Sequence, residues 1–309
     1  MIVSEILTIY DLLDRPGKPG GLIFKLFKKY AKTKISLKRV REKTGETEFL
    51  KIIIPGKKGK QKGGRAPTLG IIGRLGGVGA RPEIVGFVSD GDGALAVLST
   101  ALRLVKMAKQ GDQLMGDIIL TTHVCTNAPT TSHNPVPFMG SPVDLATMNK
   151  YEVDGKMEAI LSVDTSRGNK IINHNGFAIS PTIKEGYILR ISDDLLSIME
   201  QTTGKLSVTF PITTQDITPY GNGIYHFNSI LQPATATKTP VVGVAITSEV
   251  PVAGCATGIT NINQIDSVGR FLIEVAQRFG KSQCQFYDKT EFQIIIKKYG
   301  CLRKLQELR

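Results

Sequence analysis

The sequence predicts an α/β fold in which a central mixed, mostly parallel sheet lies between two layers of helices, a three-layer sandwich. Three observations lead there. Segment 94–108 carries Leu95, Leu98, Leu102 and Val105 at helical spacing, between two short apolar runs, 84–88 and 118–122, that read as strands. The alternation of apolar run and amphipathic helix then returns, with strands at 159–163, 207–212 and 241–246 and helices at 193–201 and 265–279. These runs are apolar almost throughout, as strands covered by helices on both faces must be.

The remaining elements follow in chain order. Residues 3–14 place Ile6, Leu7, Tyr10 and Leu13 on one helical face, and Asp14-Arg15-Pro16-Gly17 ends that helix. Leu22, Phe24, Leu26 and Phe27 among lysines predict a second amphipathic helix to about residue 32. Segments 35–40 and 49–54 read as paired strands with Gly45 in their turn, and 68–72 as a short buried strand. Strand 84–88, helix 94–108 and strand 118–122 form one strand, helix, strand unit whose strands are expected to be parallel. Gly73, Gly76, Gly77 and Gly79 follow a strand, but no helical pattern follows them, which argues against a dinucleotide site. A helix is expected near 224–231. No repeat or linker appears, so residues 1–309 read as one domain, with the helices and strand pair of 1–66 packed on a core of 67–309.

Composition narrows the class. A chain with 41% hydrophobic and 21% charged residues can bury a sizeable core. The longest stretch without a charged side chain, 118–143, contains Pro129, Pro135, Pro137 and Pro142, which is loop chemistry and not a membrane span. Glu5 and Asp11 interrupt the N-terminal apolar pattern, so no secretory signal is read and the expected location is cytoplasmic. Cys125, Cys255, Cys284 and Cys301 form no Cys-x-x-Cys pair, so neither a zinc ribbon nor a thioredoxin-type motif is present. Of the net charge of +12, nearly all lies in residues 1–66, with 17 Lys or Arg against 6 Asp or Glu. Lys57, Lys58, Lys60 and Lys62 alternate with glycines and read as a flexible, solvated loop; no specific nucleic-acid or membrane partner is expected.

Polar groups collect at predicted strand ends, where open α/β sheets bind ligands. Asp90 and Asp92 follow strand 84–88, His123 and Cys125 end strand 118–122, and Asp164 ends strand 159–163. Asp90, His123 and Asp164 together have the donor chemistry of a Zn, Mn or Fe site. Bland roles compete with that one. Either aspartate can cap the helix at Ala94, Asp164 can bond its own turn, and His123 can satisfy a buried hydrogen bond. His123, Cys125 and Asp92 are the candidates for proton transfer or nucleophilic attack. Residues 216–228, read as DITPYGNGIYHFN, are dense in amides and hydroxyls, and Asn222, His226 and Asn228 are the candidate substrate contacts.

LLDRPGKPGG from Leu12, SDGDGALAVLSTALRLV from Ser89 and ILSVDTSRGN from Ile160 resemble the zinc-exopeptidase (metal-dependent aminopeptidase and carboxypeptidase) superfamily, whose fold is phosphorylase/hydrolase-like. The resemblance implies a metal-bridging role for Asp90 and a further acidic ligand in Asp164. TTHVCTNAPTTSHNPVPFMGSPVD from Thr121, GFAISPTIKEGYILR from Gly176 and ITTQDITPYGNGIYHFNSILQPATAT from Ile212 look like an uncharacterised prokaryotic family known only as domain of unknown function 1177. The exopeptidase pattern is broken in three places. Arg74 stands in the segment where a histidine is expected, no glutamate occurs between Glu83 and Glu152, and Cys255 stands near the final histidine position. Two functions follow as expectations: a divalent-metal-dependent hydrolase with a remodelled site for a small peptide-like or cyclic amide, or a non-catalytic scaffold that binds a small metabolite or a protein partner. The segment between the early strands is too short for a lid domain, so a homo-oligomer would have to use another surface.

Overall fold

Strands that are apolar on both faces must be paired at their edges and covered above and below, and this chain meets both needs with one ten-stranded sheet. The computed structural model describes residues 1–42, 45–80, 85–126, 128, 130–132, 134, 136–212, 229–255 and 259–306. In chain order the elements are α1 (Val3–Leu13), α2 (Pro19–Lys28), β1 (Lys34–Glu42), β2 (Gly45–Ile54), β3 (Leu69–Ala80), β4 (Val85–Phe87), α3 (Asp92–Lys109) and β5 (Ile118–Cys125). There follow β6 (Thr130–Thr131), β7 (Phe138–Met139), α4 (Leu145–Glu152), β8 (Ala159–Thr165), β9 (Gly176–Ile179), β10 (Ile183–Lys184) and β11 (Tyr187–Ile188). The last are α5 (Asp193–Thr203), β12 (Val241–Thr247), α6 (Ile262–Gly280) and α7 (Lys289–Tyr299).

The sheet runs β1-β2-β5-β3-β8-β12-β10-β11, with β9 on β12 and β4 on β3. Parallel pairing joins β5, β3, β8 and β12 at the centre, and the pairings around them are antiparallel. Neighbouring residues of one strand point to opposite faces. Ile71, Leu161 and Val242 therefore join the core with Ile6 of α1, Leu98 of α3, Leu195 of α5 and Phe271 of α6. Ile72, Ile160 and Val241 join a second core with Ile230 and Leu231 of the 3-10 segment Ser229–Ala236. Helix α4 lies against β5 and that segment.

The helices form where local chemistry starts and stops them. Ser192 and Asn261 accept backbone N–H bonds at the starts of α5 and α6, and Gly204 ends α5 in a left-handed conformation. Among the described residues no helix is long and apolar enough to cross a membrane.

Three expectations change, and a fourth lies mostly outside the described residues. Strand β4 is no parallel partner of β5: it folds back antiparallel on the end of β3, and the parallel crossover is β3 to β5 through α3. Segment 207–212 forms only an isolated bridge, Ile179 to Thr209, because β9 already occupies the free edge of β12. Of the helix expected at 224–231, only the last residues are described, as the start of a 3-10 turn. The lysine-rich loop after β2 is not loose. Buried Asp117 accepts the Gly56 N–H at 2.8 Å and the Gln61 N–H at 2.7 Å, so a carboxylate organises it from below.

Candidate functional site

Strands β3, β5 and β8 bring their carboxyl ends to one edge of the sheet, the usual place for ligand sites in such folds. A cavity of about 610 Å³ opens there, with Arg74, Asp90, His123, Asp164, Arg167 and Asn169 on its walls. Val136, Pro137 and Met139, with Pro251 and Val252, supply its apolar side.

The register of β3 against β5 shifts between Gly73 and Gly76, so Arg74 lies in a bulge, a device that re-aims a side chain. Although only 3% exposed, Arg74 is well partnered: Nη1 donates to Glu152 Oε2 at 2.7 Å and Nη2 to Gln232 Oε1 at 3.1 Å. Glu152 is the last residue of α4 and fully buried. The Thr121 hydroxyl fastens that helix end to β5 by donating to the Glu152 carbonyl at 2.8 Å. Two residues on along the same strand face, His123 turns Nδ1 to Glu152 Oε1 in a short contact. The result is a buried chain, Arg74 to Glu152 to His123. It ends at His123 Nε2, which has no hydrogen-bond partner among the described residues.

Charge within this chain is self-consistent. Burial opposes a charged imidazole, but the adjacent Glu152 carboxylate, with a further contribution from Cys125, outweighs it and raises the His123 pKa to about 9. Burial likewise opposes the Glu152 carboxylate, and the Arg74 and His123 cations overcome it and hold its pKa below the ordinary range. At neutral pH the ring therefore carries both protons, and His123, a residue of the cavity wall, keeps an Nε2–H that is buried and without a partner among the described residues.

Asp92, the first residue of α3, is fully buried and does not line the cavity. Its Oδ2 accepts Arg167 Nη2 at 2.7 Å and its Oδ1 accepts the Thr260 hydroxyl at 2.7 Å. Burial raises its pKa to about 6 against the pull of Arg167. Oδ2 thus holds Arg167, which also donates to the Ser89 carbonyl at 3.1 Å, while Oδ1 is committed to Thr260. Cys125 is enclosed, its sulfur 3.4 Å from the Thr47 hydroxyl, and it too is off the cavity wall. Neither Asp92 nor Cys125, the two further candidates for catalysis, lines this cavity.

Asp164 does bond its own turn: Oδ1 accepts the Thr165 N–H at 2.8 Å. Asp90 lies against Gly254, where an added Cβ would fall 1.9 Å from Asp90 Oδ1. Cys255 is buried beside it, and burial first, then Asp90, push its thiol pKa up. Asn222, His226 and Asn228, expected as substrate contacts, lie outside the described residues, as does His133.

A family model described as "Protein of unknown function (DUF1177)" matches residues 38–309. The chain belongs to the DUF1177 family. No curated protein sequence matches it. Among solved structures, the DUF1177 chain is similar to glutaminyl cyclases from Porphyromonas gingivalis and from an Acidobacteriales bacterium. Each has a TM-score of 0.52 and 12% identity; the match covers 91% of this chain in both cases, and 97% and 94% of theirs. Tomato leucine aminopeptidase is similar at a TM-score of 0.51 and 11% identity over 88% of this chain, which spans 61% of that enzyme's length. At such identities the likeness is one of fold, and it is the exopeptidase-type fold that the sequence motifs resembled.

The expected metal ligands of this DUF1177 member, Asp90, His123 and Asp164, form no ligand cluster among the described residues. They line one cavity, yet among the described residues no three His, Cys, Asp or Glu side chains group as ligands. Glu152 on Nδ1 is the carboxylate partner that a histidine ligating through Nε2 also has, so this contact does not by itself oppose a metal. Arg74 adds a fixed cation on the same wall.

Sequence reasoning missed Glu152, Arg167 and Asn169. The family resemblance places its glutamates directly after β5, whereas the acid partner of His123 arrives from the end of α4, about thirty residues on in sequence. The available signal was Arg74: an arginine inside an apolar strand and glycine setting requires a buried acid.

Proposed function

We propose that this DUF1177 protein hydrolyses an amide bond in a small peptide-like or cyclic amide metabolite held in the cavity, with His123 as the proton donor. The observation that carries this reading is the Arg74–Glu152–His123 chain ending in an unpartnered Nε2 on a cavity wall. Burying two cations and a carboxylate is expensive unless all are paired, and a histidine so held keeps one ring orientation. In the reaction, water adds to the amide carbonyl carbon, the C–N bond breaks, and His123 gives its Nε2 proton to the departing nitrogen. The Asp90 and Asp164 carboxylates on the same cavity are the acceptors within reach of the water proton. The names of the fold relatives, aminopeptidase and glutaminyl cyclase, support a peptide-derived ligand.

A divalent-metal version of the hydrolysis, with Zn, Mn or Fe, is the reading that the motif resemblance favours and the Arg74 cation on the same wall opposes. Both are tested together. Purified protein, with and without chelator, is incubated with dipeptides, N-acyl amino acids and cyclic dipeptides, and products are read by mass spectrometry alongside elemental metal analysis. Turnover that survives chelation and is lost in His123→Gln supports the proposal. Turnover that needs stoichiometric metal supports the metal-dependent reading instead. Ligands that bind wild-type protein without any being cleaved make it a binding scaffold.

A further inference from the structure

His123 is not the only residue of this cavity wall with a buried, unpartnered donor. Arg167 Nε and Asn169 Nδ2 are also inaccessible to solvent and lack partners among the described residues. The rest of each side chain is fixed. Arg167 is 9% exposed, and its Nη2 is held by Asp92 and the Ser89 carbonyl. Asn169 Oδ1 accepts the N–H groups of Ile171 and Ile172, both at 2.8 Å, which orients its amide and leaves Nδ2 over. The two residues flank Gly168. An added Cβ there would come within 2.5 Å of the Ser248 carbonyl oxygen, so only glycine lets this turn press against 248–250 and present both neighbours to the cavity.

A buried donor without an acceptor is costly, and three of them around one cavity imply a ligand that brings acceptors. We propose that Arg167 and Asn169 form a subsite for the carboxylate of the ligand, beside His123. The proposal rests on the reading of the ligand as peptide-like and adds that it bears a free carboxylate near the scissile amide. A guanidinium edge and a side-chain amide match the planar pair of carboxylate oxygens. Asp90 and Asp164 on the same cavity disfavour a doubly charged phosphate there. Asp92 is then a positioning residue, which fixes Arg167 and touches no ligand.

The test uses the full chain and two matched probe pairs, acetate against acetamide and N-acetylalanine against N-acetylalaninamide. Nitrogen-15 NMR reads the Arg167 Nε–H and the Asn169 side-chain amide. Each acid is expected to shift both resonances and to bind at least about tenfold more tightly than its amide. Asn169→Asp retains the acceptor for Ile171 and Ile172 but replaces the donor with an anionic oxygen, and is expected to abolish the preference. Arg167→Lys keeps a cation for Asp92, removes the Nε edge, and should weaken acid binding by about tenfold with an unchanged melting temperature. The proposal is overturned if neither acid perturbs these resonances, or if Asn169→Asp leaves the preference intact. Acid binding without turnover of any amide would leave the subsite standing and remove the hydrolase. Turnover with no preference for acids would do the reverse.

Discussion

Glu152 meets His123 through Nδ1 at a point where neither side chain reaches solvent. The histidine's pKa is raised from 6.5 to about 9 in the folded chain, so folding binds its proton. The stability this adds is full below about pH 6.5 and is lost as pH rises through about 9, on the order of 3 kcal/mol in all. Urea unfolding across that interval should show falling stability in the wild type. His123→Gln should lack this fall, and a flat wild-type profile would contradict the pairing.

Glu152 also carries Arg74, so its removal strands two buried cations. Glu152→Ala is expected to cost about 3–5 kcal/mol, the range for breaking a buried pair. Denaturant midpoints at constant slope provide the measurement. A loss under about 1 kcal/mol would mean that the carboxylate does not hold this wall together.

Gly254→Ala tests the position of Asp90. The new methyl carbon would sit 1.9 Å from Asp90 Oδ1, so either the carboxylate or the 254 segment must move. The expected outcome is a stability loss of about 1–3 kcal/mol together with loss of turnover. Wild-type turnover in this variant would remove Asp90 from the mechanism.

Much of this fold is legible in the sequence because its main signals are local. Leu95, Leu98 and Leu102 mark α3 by their spacing, and the apolar run of β12 marks a strand buried on both faces. What spacing does not carry is pairing. The reversal of β4 onto β3 and the capture of the β12 edge by β9 depend on contacts distant in sequence. The site divides in the same way. Asp90, His123 and Asp164 end successive elements and could be singled out one by one, whereas the roles of Glu152 and Arg167 arise only when α4 and the turn after β8 fold against them. A lone aspartate such as Asp92 reads equally as cap, catalyst or counter-ion until Arg167 is seen beside it.

The basic loop after β2 owes its shape to Asp117 and not to its lysines. Changing Lys57, Lys58, Lys60 and Lys62 to Gln should alter stability by less than about 1 kcal/mol, since the one ion pair among them, Lys60 with Glu158, is solvent-exposed. Asp117→Ala leaves the Gly56 and Gln61 N–H groups without acceptors and should cost about 1–3 kcal/mol. Submicromolar, salt-sensitive binding to DNA or RNA that the lysine changes abolish would show that the loop is a nucleic-acid site after all.

The central claim is that His123 stands at the cavity as a protonated donor held by Glu152, and not as a metal ligand. Its carbon-13 imidazole titration, assigned by difference from His123→Gln and repeated with one equivalent of zinc, measures this directly. The expected curve has its midpoint near 9 and is the same with and without zinc. A midpoint near 6.5, or a His123 resonance that zinc displaces at one equivalent, would contradict it.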